Sequence, residues 1–166
     1  MYADNDPIVL AHAKALLASA PEGACAYIDA DIRDTGKISQ DAAGPLDFSR
    51  PVARCLIMVL QFVPDEDDPW RVVRTLLDAV PSGSYLALAH PASDVDQEVT
   101  PALRQLSTRM GGTRATPRTR PEVARFFEGL EMTEPGLVQL HRWRPGPGAE
   151  NGDRDLAAYG GIGRKP

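Results

Sequence analysis

The chain has 166 residues, of which 43% are hydrophobic and 25% are charged, and its net charge is −5. This composition predicts one soluble domain over residues 1–166, and the negative charge argues against nucleic acid or an anionic membrane as the main partner. No apolar run approaches the ~20 residues that span a bilayer and no export leader is visible, so we expect a cytoplasmic protein.

The first residues predict the end of a strand followed by a helix. Tyr2–Asp4 is typical of the last residues of a buried strand, Asp6 is a favoured helix N-cap, and Pro7 suits the first helical position. An apolar stripe at helical spacing follows and comprises Val9, Leu10, Ala13, Leu16, Leu17 and Ala20. We therefore expect the chain to begin inside a strand–helix unit.

The middle of the chain predicts two further strands. Residues 24–34 form a β-prone run that ends in acidic residues, and a weaker helical stretch covers residues 36–46. Within residues 51–65, the apolar stretch Cys55–Leu60 is typical of a strand buried on both faces of a parallel sheet.

The next helix begins with the same capping pattern as the first. Asp68 can cap it, and Pro69 takes its first turn. Pro81 and Gly83 then stop the helix. The segment "SYLALAH", which ends at His90, predicts another buried strand.

The last third of the chain predicts two helices and two strands. One helix covers residues 94–110 and carries an apolar side formed by Val99, Leu103, Leu106 and Met110. Thr119 and Glu122 form a capping box for a helix over residues 121–130. The segments "LVQLHRWR" and "AAYGGIGRKP" predict strands, with a flexible Pro/Gly-rich loop over residues 145–154 between them.

Strands that alternate with helices predict an α/β fold with a mostly parallel sheet. Such sheets bind ligands at the carboxyl ends of their strands, which this chain has at residues 4–6, 29–34 and 61–65. Helix capping accounts for Asp6. Asp4 precedes the cap and has no evident structural duty, so its carboxylate is a candidate acceptor for the hydroxyls of a ribose.

Six consecutive blocks of the chain resemble one protein family. They are "YADNDPIVLAHAKALL", "AYIDADIRD", "FSRPVARCLIMVLQFVPDEDDPW", "SGSYLALAHPASD", "RPEVARFFEGLEMTEPGLVQLHRWRP" and "YGGIGRKP". The family is the S-adenosyl methyltransferase family of the class I, Rossmann-like methyltransferases. The resemblance implies a three-layer Rossmann-like sheet, mostly parallel with a C-terminal antiparallel strand. It also implies methyl transfer from S-adenosyl-L-methionine to an unknown acceptor, expected to be a small molecule.

The resemblance also implies cofactor contacts on the first two strands of this chain. Asp4, followed by Asn5, ends the second strand of the methyltransferase sheet and would hold the ribose hydroxyls. Asp31 ends the third strand and would face the adenine amino group, with Ile32 against the ring.

By the same resemblance, Leu60, Gln61 and Phe62 end the fourth strand, which borders the transferable methyl group and the substrate. Relatives often carry His where this chain has Gln61. An amide does not titrate, so Gln61 cannot replace a catalytic base, although methyl transfer can run mainly on alignment of the reacting atoms. The catalytic residues are therefore unknown.

The family's first strand and its glycine-rich turn have no counterpart here, since "YGGIG" lies near the C-terminus with no helix after it. We therefore expect a truncated domain or a misplaced start codon, and we expect these residues alone to bind the cofactor poorly or not at all. The alternative is a non-catalytic remnant or binding module. Without strand one, strand four is expected to have an open edge, which predicts self-association through it or a partly ordered, aggregation-prone monomer.

Three other kinds of site fit the sequence less well. A phosphate-accepting receiver domain needs a Lys at the end of a late strand, where this chain has His90. His12, His90 and His141 lack the spacing of a zinc site and are interpreted as partly exposed side chains. A basic stretch could clamp an acidic substrate or RNA, but it lacks interleaved aromatic residues and a solvated loop is favoured. It comprises Arg109, Arg114, Arg118, Arg120 and Arg125.

The two cysteines, Cys25 and Cys55, do not form a C-x-x-C pair. We interpret both as small buried hydrophobic residues in a reducing compartment. The resemblance implies that they lie on strands three and four, which the family keeps apart, so no native disulfide is expected.

Overall fold

The computed structural model describes residues 1–17, 23–95, 101, 115–146 and 155–166. In those residues the chain forms seven strands and four α-helices. The strands are β1 (Tyr2–Asp4), β2 (Tyr27–Asp29), β3 (Ala53–Ile57), β4 (Tyr85–Pro91), β5 (Glu131–Met132), β6 (Val138–Gln139) and β7 (Ala158–Arg164). The helices are α1 (Pro7–Leu16), α2 (Thr35–Ala42), α3 (Pro69–Asp78) and α4 (Arg120–Ala124). Most of the helix predicted over residues 94–110 and of the loop predicted over residues 145–154 lies outside the described residues.

Within the described residues, the strands form two sheets. β1 pairs with β2 in parallel, with Asp4 opposite Asp29. The second sheet has the order β3-β4-β7-β5, in which β3 and β4 are parallel. β7 runs antiparallel to β4, β5 and β6, as predicted for a C-terminal antiparallel strand. In each sheet the parallel strands therefore end at the same edge.

Two apolar clusters hold these elements together. The larger cluster joins α3 to β4 and α4, and includes Leu77, Leu86 and Val123. The smaller cluster joins β2, α2 and α3, and consists of Ile28, Ala30, Ile38, Ala42, Val72 and Leu76. Ile32, which follows β2, packs against both clusters. Helix α3 contributes to both clusters and therefore connects the two sheets.

The three predicted capping patterns are confirmed. The side chain of Asp6 accepts backbone N–H groups at the start of α1, and that of Asp68 does so at the start of α3. Thr119 and Glu122 form the capping box of α4. That helix is shorter than predicted, because residues 125–127 continue it as a 3₁₀ turn.

The first strand–helix unit is less buried than predicted. Leu10 is the buried residue of α1, whereas Leu16 is 78% exposed and Val9 and Leu17 are also exposed. β1 is also largely exposed, so the predicted burial of Tyr2–Asp4 is wrong. A sheet of only two strands is too narrow to cover the whole apolar stripe of the helix that packs on it. Ala20 lies outside the described residues.

β3 is shorter and more exposed than the sequence predicts. Alternate residues of the strand are exposed, and Ile57 has 56% of its surface accessible. Among the described strands β3 pairs with β4 alone, so it lies at the edge of its sheet. Cys55 is therefore exposed, and Cys25 is half-buried ahead of β2, which corrects the interpretation of both as buried strand residues. Both cysteines lie in the described chain, and no disulfide joins them.

The glycine run of "YGGIG" serves side-chain packing within β7. A Cβ on Gly160 would lie 2.5 Å from Leu140 Cδ1, and a Cβ on Gly163 would lie 3.0 Å from Leu130 Cβ. The strand predicted for "LVQLHRWR" is confirmed only at Val138–Gln139, because residues 140–142 form a 3₁₀ turn.

Candidate functional site

The carboxyl ends of β1 and β2 bring three of the predicted cofactor residues together. Asp4 ends β1 and is followed by Asn5, whereas Asp31 lies in the loop after β2 and not in the strand, which ends at Asp29. Asn5 Nδ2 donates a hydrogen bond to Asp31 Oδ2 at 3.4 Å. The parallel register, with Asp4 opposite Asp29, causes this proximity. Ile32 is half-buried beside this group.

Asp4 has a structural role that its sequence context does not reveal. Its Oδ1 accepts the backbone N–H of Asp6 at 2.9 Å, which fixes the turn between β1 and α1. The side chain is half-buried, and no donor in the described residues bonds to its Oδ2. This second oxygen therefore keeps its capacity to accept hydrogen bonds from hydroxyl groups.

Asp31 is held by Arg33 through three hydrogen bonds. Its Oδ1 accepts the backbone N–H of Arg33 at 2.9 Å and the Nε of the same residue at 2.8 Å. Its Oδ2 accepts Arg33 Nη2 at 2.7 Å. The hydrogen bonds from the Arg33 side chain lower the pKa of Asp31 to about 2. The carboxylate is therefore ionised at neutral pH and fixed in orientation.

Arg33 also connects the loops that follow two different strands. Its Nη1 donates to Asp67 Oδ2 at 2.8 Å, and Asp67 belongs to a 3₁₀ turn over residues 65–67 beyond β3. The hydrogen bonds to Asp31 and Asp67 raise the pKa of Arg33. The guanidinium thus joins the loop after β2 to the loop after β3.

The residues predicted to end the strand beside the substrate form a 3₁₀ turn instead, over Leu60–Phe62. β3 ends at Ile57 because Met58 adopts a left-handed backbone conformation, with φ of 54°. Within the turn, Leu60 is buried in the larger cluster and Phe62 is exposed. The predicted residues therefore lie just beyond the carboxyl end of β3, on a turn.

Gln61 is 6% exposed and is anchored by its own turn. Its Nε2 donates to the Met58 carbonyl at 2.6 Å, which fixes the orientation of the amide. Its backbone carbonyl accepts the N–H of Thr116 at 2.8 Å. Within the described residues, no group donates to the buried Oε1. Gln61 therefore keeps one buried, unpaired acceptor near the end of β3, and it cannot take up a proton.

Arg118 supports the same turn from within the core. It is 1% exposed, and its Nη1 donates to the Leu60 carbonyl at 3.1 Å. Its Nη2 donates to the Val63 carbonyl at 2.8 Å and to Asp65 Oδ1 at 2.7 Å. The guanidinium also lies 5.3 Å from the ring centroid of Trp70. Arg118 thus fixes the course of the chain after β3.

His90 is fully buried, so its interpretation as a partly exposed side chain is wrong. Its ring lies between the Pro91 carbonyl, 2.9 Å from Nδ1, and Arg118 Nη1, 2.9 Å from Nε2. These contacts require a neutral ring that is protonated at Nδ1. Burial, with the nearby Arg118 cation as a further cause, lowers the pKa of His90 to about 4.

The arginines of the predicted basic stretch that are described make internal contacts. Arg118 is buried, Arg120 Nη2 donates to the Leu137 carbonyl at 2.9 Å, and the Arg125 guanidinium lies 3.8 Å from the Trp70 ring centroid. The favoured interpretation as a solvated loop is therefore wrong for Arg118. Arg109 and Arg114 lie outside the described residues.

The chain matches the S-adenosyl methyltransferase family over residues 1–166. It belongs to this family. Two similar crystal structures support the family assignment. A DUF574 family protein from Streptomyces avermitilis is 46% identical with a TM-score of 0.91, covering 99% of this chain and 64% of that chain. A protein from Thermobifida fusca assigned as a methyltransferase is 33% identical with a TM-score of 0.80, covering 99% of this chain and 62% of that chain.

The predicted Rossmann-like methyltransferase fold is confirmed by these matches. The N-methyltransferase NodS from Bradyrhizobium japonicum, in complex with S-adenosyl-L-homocysteine, shares the fold at 13% identity with a TM-score of 0.52. That match covers 99% of this chain and 65% of NodS. The chain spans less than two thirds of the length of each of these three proteins. No curated protein matches the sequence.

The described residues offer neither a metal-binding cluster nor a membrane-spanning helix. Those residues contain no group of three or more His, Cys, Asp or Glu side chains placed to hold a metal ion. None of the helices in the described ranges has both the length and the apolar character that a membrane crossing requires.

Proposed function

We propose that this chain takes part in methyl transfer from S-adenosyl-L-methionine to a small-molecule acceptor. The observation that carries the proposal is the pair of carboxylates in a member of this family, with Asp4 at the end of β1 and Asp31 in the loop after the adjacent parallel strand β2. The co-crystallisation of NodS with S-adenosyl-L-homocysteine supports this choice of cofactor.

The chemistry of the side chains present fits the cofactor. A ribose offers two hydroxyl donors, and Asp4 Oδ2 has unused acceptor capacity. An adenine offers an amino donor, and Asp31 is an ionised acceptor close by. We assign Asp4 to the ribose, Asp31 to the adenine amino group, and Asn5 and Ile32 to the surroundings of the ring.

Bound S-adenosyl-L-methionine supplies an electrophilic methyl group on a positively charged sulfonium. Leu60, Gln61 and Phe62 are assigned to the border of the methyl group and the acceptor. The Gln61 amide is buried and cannot remove a proton. We therefore propose that the chain contributes alignment of the reacting groups, and that it uses no base at this position.

Titration with S-adenosyl-L-homocysteine, followed by NMR chemical shifts, tests the cofactor assignment and tolerates weak binding. Asp4→Asn is the informative variant, because its Oδ1 can still accept the Asp6 N–H while Oδ2 becomes an amide donor. We expect this variant to weaken binding by about tenfold or more, the typical value of a hydrogen bond to a charged group. Asp6→Asn is the matched control, since asparagine also caps helices.

The same titration has two results that contradict the proposal. One is an unchanged affinity in Asp4→Asn, which would remove the ribose assignment. The other is the absence of any shift change in the wild-type chain, which would remove the cofactor assignment altogether. Binding without transfer of a labelled methyl group to any small acceptor would favour a binding module without catalysis.

A further inference from the structure

Arg33 differs from an ordinary surface arginine in the way that it holds its partner. A solvent-exposed ion pair contributes little because both side chains remain mobile. Here three donors of one residue, its backbone N–H, Nε and Nη2, converge on the Asp31 carboxylate at 2.7 to 2.9 Å. Nη1 is held from the other side by Asp67 at 2.8 Å. The carboxylate plane is therefore fixed by its own loop before any ligand arrives.

The hydrogen bonds leave one acceptor position on Asp31. An ionised carboxylate has about four lone-pair positions. Two on Oδ1 accept the N–H and Nε of Arg33, and one on Oδ2 accepts Nη2. The fourth faces Asn5 Nδ2 at 3.4 Å, the longest of the four contacts and hence the weakest. A ligand donor can replace Asn5 without disturbing the ion pair.

We propose that Arg33 is a positioning residue, which aims the last acceptor position of Asp31 at an exocyclic amino group and so makes the site selective for a 6-aminopurine over a 6-oxopurine. This inference rests on the proposed function. A 6-amino group donates an N–H to the carboxylate, whereas a 6-oxo group presents a second acceptor that cannot bond to it. An ionised carboxylate has no proton to donate at neutral pH, so it cannot bond to the 6-oxo group in the opposite direction either.

The contact with Asp67 gives Arg33 a second effect. Asp67 lies in the loop after β3, and this loop also carries the turn over Leu60–Phe62. The guanidinium therefore connects the end of the site assigned to adenine with the end assigned to the methyl group. Asp67→Asn removes the charge at this contact. It leaves intact the fork to Asp31, that is, the paired hydrogen bonds from Arg33 Nε and Nη2. Its effect on purine selectivity is therefore expected to be smaller than that of Arg33→Ala.

The test compares two probes, S-adenosyl-L-homocysteine and its 6-oxo analogue S-inosyl-L-homocysteine, titrated by NMR into the 166-residue chain. The wild-type chain is expected to prefer the amino form by about tenfold or more. Arg33→Ala is expected to weaken the amino form about three- to tenfold, because Asp31 must then be ordered on binding, and to leave the 6-oxo form unchanged. Arg33→Lys should resemble Arg33→Ala, since an ammonium cannot form the fork. Arg50→Ala, at an exposed arginine between α2 and β3, is the matched control.

A second measurement does not need a ligand. The groups that face Asp31 are Arg33 and Asn5, with Asp67 acting through Arg33. Carboxyl 13C shifts should show the pKa of Asp31 rising from about 2 in the wild type towards the ordinary 3.8 in Arg33→Ala. Compared with the wild type at each pH, amino-form binding by the variant should accordingly weaken as the pH falls through 4, and a purely structural role would not produce this difference.

The outcomes separate this inference from the function on which it rests. Equal weakening of both probes by Arg33→Ala would show a merely structural role and overturn the inference while leaving cofactor binding in place. An undiminished preference of Arg33→Ala for the amino probe over the 6-oxo probe would overturn the inference as well. Absence of binding of either probe to the wild-type chain would overturn both the proposed function and this inference.

Discussion

Arg118 Nη1 donates a hydrogen bond to His90 Nε2 at 2.9 Å, inside a core where both side chains are almost fully buried. The guanidinium can only donate hydrogen bonds, so the imidazole must stay neutral to accept this one. A proton on Nε2 would place two donors and two positive charges against each other. This pair therefore makes the stability of the fold depend on pH.

We expect the free energy of unfolding to fall as the pH decreases from 6.5 to about 4. The unfolded chain binds a proton at His90 below pH 6.5, whereas the folded chain does so only near pH 4. The contribution of the neutral His90 to the free energy of unfolding is therefore fully present above pH 6.5. The shift of its pKa from 6.5 to about 4 corresponds to about 3 kcal/mol. Urea denaturation at several pH values measures the slope of the free energy of unfolding against pH. His90→Asn should flatten it, whereas His12→Gln, at an exposed residue of α1, should not.

A slope that persists in His90→Asn would contradict this assignment. If that variant does not fold, the imidazole 13C and 1H shifts of His90 in the wild-type chain give the same answer. They should stay at their neutral values until the pH approaches 4.

Replacing Arg118 should destabilise the chain more than replacing any exposed arginine. Arg118→Met keeps the length of the side chain but leaves the carbonyls of Leu60 and Val63 without their donor. Each unpaired buried acceptor costs ~1–3 kcal/mol, so we expect a loss of about 3 kcal/mol in the free energy of unfolding. Arg125→Met is the control, because that exposed arginine stacks on Trp70 and should cost less than about 1 kcal/mol.

Urea midpoints at pH 7 measure both variants. Equal losses in Arg118→Met and Arg125→Met would show that the buried hydrogen bonds of Arg118 carry no particular weight. The His90 pKa gives an independent check, since it should rise in Arg118→Met when the neighbouring cation is removed.

The parts of the fold that could be predicted from sequence are those with local causes. Asp6 and Asp68 each bond to backbone N–H groups within three residues, so the capping pattern alone fixes where α1 and α3 begin. The capping box of Thr119 with Glu122 has the same local character. The family blocks gave the fold class and the candidate strand ends.

The parts that could not be predicted depend on partners far along the chain. Arg33 and Asp67 are 34 positions apart, and Arg118 bonds to a carbonyl 58 positions away. No spacing rule signals such pairs, so Arg118 looked like one more residue of a basic loop. The fork from Arg33 to Asp31 had a visible local signal, since an Asp followed two residues later by Arg can form it within one turn.

Burial was predicted wrongly where it depends on neighbouring strands. The apolar run that contains Cys55 and Ile57 was expected to be covered on both faces, yet both residues are exposed in an edge strand. Residue type shows which surface a strand can bury. It does not show whether a neighbouring strand is present to cover that surface.

The edge of β3 leads to the last prediction, which is self-association of the isolated chain. Val52 accepts a hydrogen bond from the Tyr85 N–H, and the Met58 N–H donates to Ala89, so even-numbered residues bond to β4. Backbone groups alternate in direction along a strand, so those of Ala53, Cys55 and Ile57 point to the open side. Unpaired edges of this kind recruit other chains.

We propose an antiparallel pairing of β3 with β3 of a second copy, centred on Cys55. Cys55 then lies opposite its own counterpart at a Cα separation of about 5.5 Å. In a Cys25→Ser background, a short bis-maleimide should therefore join two copies through Cys55, and Cys55→Ser should abolish the cross-link.

Light scattering should show a dimer at micromolar concentration. Ile57→Lys should convert it to a monomer, because a charged edge residue opposes strand pairing. Ile8→Lys is the matched control, since Ile8 is 66% exposed on α1, away from this edge. A monodisperse wild-type monomer whose Cys55 and Ile57 amides resist hydrogen exchange would show that the edge is closed in another way.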